Sequence, residues 1–187
     1  MPETAPPPDM DNGSLAALAR ALESRSAPPV ETWNPAHCGD SEMRIARDGS
    51  WTHQGGPISR AAMVRLFSSV LRREEDDSYV LVTPVEKLSI EVEHLPFRAV
   101  RMRSEGEGEG RTLAFTLNTG DVVVAGAAHP IRLVDGDDGP SPRIRVRGGL
   151  EAEIDRSLYY DLAEIALAEG GEAAPALWSD GEKFTFS

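Results

Sequence analysis

Residues 143–154 read Arg143-Ile144-Arg145-Val146-Arg147-Gly148-Gly149-Leu150-Glu151-Ala152-Glu153-Ile154. Apolar and charged side chains alternate on both sides of the glycine pair, the period of a half-buried strand. Gly148-Gly149 supplies the positive φ that a hairpin turn demands. A three-residue loop centred on Gly148 pairs Val146 with Leu150 and Ile144 with Ala152. It also sets Arg145 opposite Glu151 and Arg143 opposite Glu153, so burial and charge select one register. Behind this hairpin, Leu158, Leu162 and Ile165 recur at helical spacing over 157–169, and Gly170-Gly171 stops the helix.

The first third of the chain carries the same pattern. Residues 42–54 form two short strands around Arg47-Asp48-Gly49, with Ile45 opposite Trp51. Gly55-Gly56-Pro57 breaks the strand, and a helix follows over 59–73, with Met63, Leu66, Phe67, Val70 and Leu71 on one face. Between the two patterns the period is two. Strands are predicted at 79–83, 88–92, 97–102, 111–118, 122–125 and 131–134, with Pro84 as an interruption and 105–110 as a flexible loop. A last hairpin turns at Asp180-Gly181. The expected class is α+β, with antiparallel sheets and two similar hairpin–helix units, 43–73 and 143–169, at an offset of 100 residues. Because hairpin–helix units are common, chance similarity stays open as the alternative.

A chain of 187 residues suffices for a hydrophobic core without metals or disulfides. Residues 1–12 are proline-rich and acidic and read as a disordered tail. Residues 13–32 read as a short helix, capped by Ser14 and carrying Leu15, Leu18 and Leu22 on one face, followed by a linker from Pro28-Pro29. Residues 33–95 form an N-terminal α+β unit, and 96–187 a C-terminal β-rich unit that ends in a helix and a hairpin. The net charge of -12 argues against a duplex nucleic acid or an anionic membrane surface as partner. The single cysteine, Cys38, excludes an intramolecular disulfide. The N-terminus has no signal-peptide pattern, and a cytoplasmic protein is expected.

Chemistry-bearing motifs are sparse. His37, His53, His94 and His129 show no metal-ligand spacing, and neither a metal nor a cofactor is implied. Cys38 reads as a small buried hydrophobe. Gly55-Gly56 ahead of a helix start permits close backbone approach to an anion, with Arg60 in the first turn adding charge. An ordinary strand-to-helix connection capped by Ser59 explains the same residues. The second helix start is the poorer anion site, because Asp155 would already occupy the dipole.

Several strings stand in order along the chain: Cys38-Gly39-Asp40, Arg44-Ile45-Ala46-Arg47-Asp48-Gly49-x-Trp51, Gly55-x-Pro57-Ile58-x-Arg60, Leu81-Val82-Thr83-Pro84-Val85-Glu86-Lys87 and Glu91-Val92-Glu93. Val146-Arg147-x-Gly149-Leu150-Glu151-Ala152 and Trp178-Ser179-x-Gly181-x-x-Phe184 follow. Together they resemble the bacterial domain-of-unknown-function family numbered 1285, from about Trp33 to the C-terminus. The resemblance implies an internally duplicated α+β fold whose C-terminal half is superficially like a pleckstrin-homology domain. It also implies a ligand site between the halves suited to a nucleotide-like molecule, and a role in signalling. No catalytic activity comes with it. His94 stands where an acidic residue is expected before Pro96-Phe97, which puts any contact made by that carboxylate in doubt.

The reading is a non-enzymatic sensor or adaptor that binds a small anionic ligand. Arg44, Arg47, Arg60 and Lys87 are the candidate cations, Gly55 and Gly56 the backbone approach, Trp51 a wall and Glu86 an orienting partner. A protein-interaction module without a small ligand, and a metal-dependent hydrolase built on clustered carboxylates, are the alternatives.

Overall fold

Each half of the chain folds into one six-stranded sheet. The computed structural model describes Leu15 and residues 27–186; the tail over 1–12 and most of the helix and linker expected over 13–32 lie outside the described residues. The first sheet contains β1 (Cys38–Ile45), β2 (Trp51–His53), β3 (Gly56–Pro57), β4 (Leu71–Arg73), β5 (Tyr79–Val82) and β6 (Lys87–Val92). The second contains β7 (Phe97–Glu105), β8 (Thr112–Leu117), β9 (Val122–Val124), β10 (Ile131–Gly136), β11 (Gly139–Arg147) and β12 (Leu150–Ile154). Their spatial orders are β3-β2-β1-β6-β5-β4 and β10-β11-β12-β7-β8-β9. Read from opposite edges, these are one topology: three strands step outward, three return, and the first and last strands lie side by side. That central pair, β1 with β6 and β7 with β12, is parallel, while the other pairings are antiparallel. The sheets are therefore mixed, which corrects the expectation of antiparallel sheets. Turns of a few residues force neighbours in sequence to run antiparallel, but the first and last strands of each half meet without such a link.

The duplication holds at the level of halves, and its internal match differs from the one expected. Helix α1 (Ala61–Ser69) connects β3 to β4, whereas α2 (Arg156–Gly170) follows β12. The strand ahead of α1 is at a sheet edge and the strand ahead of α2 is central. The two hairpin–helix units thus do not share a strand order; β1 corresponds to β7 and β6 to β12. A two-stranded hairpin, β13 (Ala176–Ser179) with β14 (Glu182–Thr185), turns at Asp180-Gly181 as expected. Among the described residues, no helix is long and apolar enough to cross a membrane.

Local registers follow the sequence closely. Ile45 pairs with Trp51, and Arg143, Ile144 and Arg145 pair with Glu153, Ala152 and Glu151. The turn itself differs: Gly148 and Gly149, both at positive φ, form a two-residue loop that sets Arg147 opposite Leu150. Val146 is the extra residue of a bulge between Arg145 and Arg147, which restores the charged register beyond it. α1 is shorter than its periodicity suggests. Leu71 and Arg72 leave the helix to pair with Leu81 and Val80, because the β5 ladder satisfies their backbone groups better than another helical turn. Phe67, Val64 and Val70 turn toward the core, while Leu66 stays 63% exposed.

One core joins the halves. Ile45, Trp51, Leu71 and Leu81 from the first sheet pack in the same cluster as Phe97, Phe115, Ile144 and Ile154 from the second and Leu162 from α2. Trp51 stacks on Phe67 at a centroid distance of 6.5 Å. Leu15 packs separately on Ala114 and Val124, and its N–H donates to Glu105 at 2.8 Å.

Polar contacts pin the seam. The Arg147 guanidinium donates to the Ser68 carbonyl and lies 5.7 Å from the Phe97 ring centroid. Arg65 donates to the Thr119 carbonyl at 3.3 Å, and Arg73 to the Gly149 carbonyl at 3.3 Å. Asn118 donates to the Gly49 carbonyl at 3.3 Å and accepts the Arg98 N–H at 3.0 Å. Gly49 sits at φ +85, and a Cβ there would meet Asn118 Nδ2 at 2.6 Å. Both the backbone and the seam thus require glycine. Gly49→Ala is expected to cost about 1–3 kcal/mol in urea denaturation. A neutral result would mean that the turn and Asn118 relax freely.

Candidate functional site

The β1–β2 turn, the linker between β6 and β7, the β10–β11 hairpin and the start of α2 surround a cleft between the halves, with a volume of about 540 Å³. Arg47 and His94 enter it from the N-terminal side, and Arg98, Arg143 and Arg156 from the second half. Asp135, Asp137, Asp138, Glu153 and Asp155 supply carboxylates, and Tyr159 and Tyr160 add aromatic wall.

The arginines differ in how firmly they are held. Arg98 donates twice to Asp155 Oδ1, at 2.9 and 2.6 Å, with both side chains about three-quarters buried. Arg143 lies 3.7 Å from Glu151 and donates to Ser141 at 3.4 Å. Arg156 donates to the Tyr160 hydroxyl at 3.2 Å, and Arg47 reaches Asp138 at 3.3 Å in an exposed pair. The His94 Nε2 is buried, 3.3 Å from Glu153 Oε1. The cleft is thus neither a cationic nor an acidic pocket; its charges alternate.

Glu151 anchors this wall. Burial alone would raise its carboxyl pKa, but two hydrogen bonds from Arg132, at 2.6 and 2.7 Å, together with the charges of Arg132, Arg143 and Arg73, hold it below the usual carboxylate range. Glu169 behaves alike: burial opposes its charge, and hydrogen bonds from Arg111 and the Gly108 N–H outweigh it. A carboxyl whose folded pKa is depressed stabilises the fold above its unfolded value, and that stability is lost as pH falls through the folded value. Melting temperature should therefore be flat above the ordinary glutamate value of 4.5 and drop below it. Glu151→Gln should lower the plateau and flatten the acid limb. An unchanged acid limb in that variant would show that Glu151 carries none of this linkage.

The residues expected from the sequence do not converge. Arg47 lines the cleft. Arg44 is paired with Glu91 and Glu93 on β1, where it shares a groove with Gly55. Lys87 lies 3.6 Å from Glu74, in a separate hollow of about 730 Å³ with Arg72, Trp33 and the exposed Cys38. Arg72 is locked there by the Val30 and Trp33 carbonyls and Glu74, and Lys87 shares the same Glu74, so both cations are already engaged. Trp51 is 2% exposed and cannot be a wall; it is a core residue. Cys38, read as buried, is exposed. Gly56 is in the edge strand β3, Glu86 closes the β5–β6 turn by donating its N–H to the Thr83 hydroxyl, and Arg60 is the exposed N-cap of α1. The cleft lies at the other helix. Asp155 is indeed the N-cap residue of α2, but its carboxylate makes no capping bond and is taken by Arg98. Arg98, Arg143, Glu153, Tyr159 and Tyr160 were missed, since each reads as an ordinary strand or helix surface residue. The Asp155-Arg156 pair and the atypical His94 were the only local signals.

The fold and cleft define a duplicated, β-rich two-sheet protein. The family models for the N-terminal and C-terminal domains of DUF1285, both described as of unknown function, match residues 28–95 and 96–186, and the chain belongs to that family. A crystal structure of a DUF1285 family protein from Silicibacter pomeroyi DSS-3 is 48% identical, with a TM-score of 0.78 over 91% of this chain and 93% of that one. A second, from Shewanella baltica OS155, is 26% identical, with a TM-score of 0.52 over 65% and 90%. No curated protein matches the chain.

Proposed function

We propose that the chain is a non-enzymatic cytoplasmic sensor or adaptor in signalling, and that it binds a small nucleotide-like ligand in the cleft between its halves. The observation that carries the reading is the cleft's alternating charge. Among the described residues, a bare anion would meet five carboxylates against four arginines there. A ligand with an anionic group at one end and N–H donors at the other satisfies both sets. A phosphate would sit on Arg47 and Arg156, the least firmly held cations, and an amino-bearing base would donate to the carboxylates. Tyr159 and Tyr160 offer aromatic faces for such a base. The pleckstrin-type likeness of the second half belongs to this reading; the three-stranded antiparallel runs β7–β8–β9 and β10–β11–β12, with α2 beside them, support it.

A thermal-shift panel of mononucleotides, cyclic nucleotides and inorganic phosphate tests it. At 100 times Kd a ligand stabilises by about 2.7 kcal/mol, which for a chain of this size raises the melting temperature by about 5–10 °C. Arg156→Ala is expected to weaken binding by about 1.5–3 kcal/mol, the range for a charge-assisted hydrogen bond. A panel without any nucleotide response overturns the reading.

A further inference from the structure

One contact between cleft-lining residues is made by one half on the other. Arg47, in the β1–β2 turn, donates through Nη2 to Asp138 Oδ2 at 3.3 Å, and Asp138 stands at the tip of the β10–β11 hairpin. We propose that this hairpin tip is a lid on the cleft and that Asp138 is its latch, a built-in carboxylate occupying the guanidinium that a ligand's anionic group must take. The proposal rests on the ligand reading above and adds its regulation.

Three observations carry it. First, among the described residues Arg47 is the one cleft arginine contributed by the first half, so its bond to Asp138 ties lid to body. Second, the bond is easy to exchange. Side-chain exposures of 59% and 85% leave both charges in water, unlike the Arg98–Asp155 pair at 28% and 26%. Third, the hairpin tip is weakly tied to the sheet. β10 is an edge strand, and β11 pairs with β12 only from Arg143 onward, so over residues 139–142 the tip is a two-stranded arm in which Pro140 and Pro142 have no N–H to offer a further strand. Gly139 at φ +104 and Gly136 leave the turn little side-chain packing. The lid can swing without disturbing Ile131 and Ile144, which pair deeper in the ladder and are buried.

Displacing Asp138 from Arg47 by a phosphate conserves the number of charge pairs at Arg47 and frees the hairpin tip. Ligand binding would therefore change the lid from latched to unlatched, a difference that a partner could read.

Hydrogen exchange and AMP titration of the full chain test this. Asp138→Asn and Arg47→Gln should each speed amide exchange across residues 134–141 at least fivefold, and the double variant should add nothing further. Asp137→Asn removes the same charge one residue away and should leave that exchange unchanged. In titration, Asp138→Asn should tighten AMP binding at least threefold and Arg47→Gln should weaken it at least tenfold. If AMP binds wild type and Asp138→Asn equally, or if Asp137→Asn matches Asp138→Asn in both assays, the latch is overturned while the ligand reading stands. If AMP and the wider nucleotide panel bind neither form, the ligand reading fails and the anion-competition role of Asp138 fails with it.

Discussion

Phe97→Ala is expected to remove about 3–5 kcal/mol of folding stability, the range for deleting a buried aromatic ring. Phe97 is wholly buried at the first position of β7, where the second sheet begins. Its ring packs in the core shared by both sheets and carries the Arg147 guanidinium on its face. Truncation would open a cavity and also strip Arg147 of its aromatic partner. Small domains hold about 5–15 kcal/mol in total, so the loss is a large share of the margin. Urea denaturation should show a lower midpoint with an unchanged slope, as for a single cooperative unit. A loss below about 1 kcal/mol would show that the core around Phe97 collapses onto the vacancy. Two separate transitions in the variant would mean that the seam, and not the whole chain, depends on this ring.

Arg147→Ala is the second large effect, expected at about 2–4 kcal/mol. Burial pulls this guanidinium down from its ordinary value, and the nearby charges of Asp121 and Glu31 partly oppose the pull. Removing it leaves the Ser68 carbonyl at the end of α1 without its donor from across the seam, and takes away a positive charge that interacts with Asp121 and Glu31. Among the described residues the buried Arg147 Nε has no hydrogen-bond partner, so part of the guanidinium's desolvation is uncompensated. Arg147→Met, which keeps the apolar stem over Phe97, should recover part of the loss. If methionine equals or exceeds the wild type in chemical denaturation, the charge costs stability and the hydrogen bond does not justify it. If alanine itself is neutral, the seam is held by apolar packing alone.

Both predictions concern the seam, and the seam separates what was legible in the residues from what was not. Alternation and glycine placement are local, and they specified the pairs Ile45–Trp51, Ile144–Ala152 and Arg143–Glu153, the α2 helix and the Asp180-Gly181 turn. Those features depend on residues a few positions apart, whose φ preferences and side-chain faces are written in the chain itself. The end of α1 was misread because Val70 and Leu71 satisfy a helical period and a strand period equally. Only the presence of β5, which offers Leu81 and Val80 as partners, decides between them.

The parallel pairs β1–β6 and β7–β12 were not legible for a similar reason. A strand's own pattern states which face is apolar but not which strand lies beside it, and that choice falls to the packing of the two sheets on their common core. The cleft follows from that choice. Arg47 and Asp138 are far apart in the chain, and each taken alone is a solvated turn residue; they meet because the seam sets the β1–β2 turn against the β10–β11 hairpin. The sequence by itself determined the acidic character of the chain, the pairs Ile45–Trp51 and Arg143–Glu153 and the C-terminal helix, and its family resemblance pointed to a duplication that holds between the halves and not between the hairpin–helix units. Tertiary structure alone decided which strands adjoin, and therefore which arginines and carboxylates share a cleft, because non-local contacts are set by the joint burial of apolar faces and leave no periodic trace in the chain.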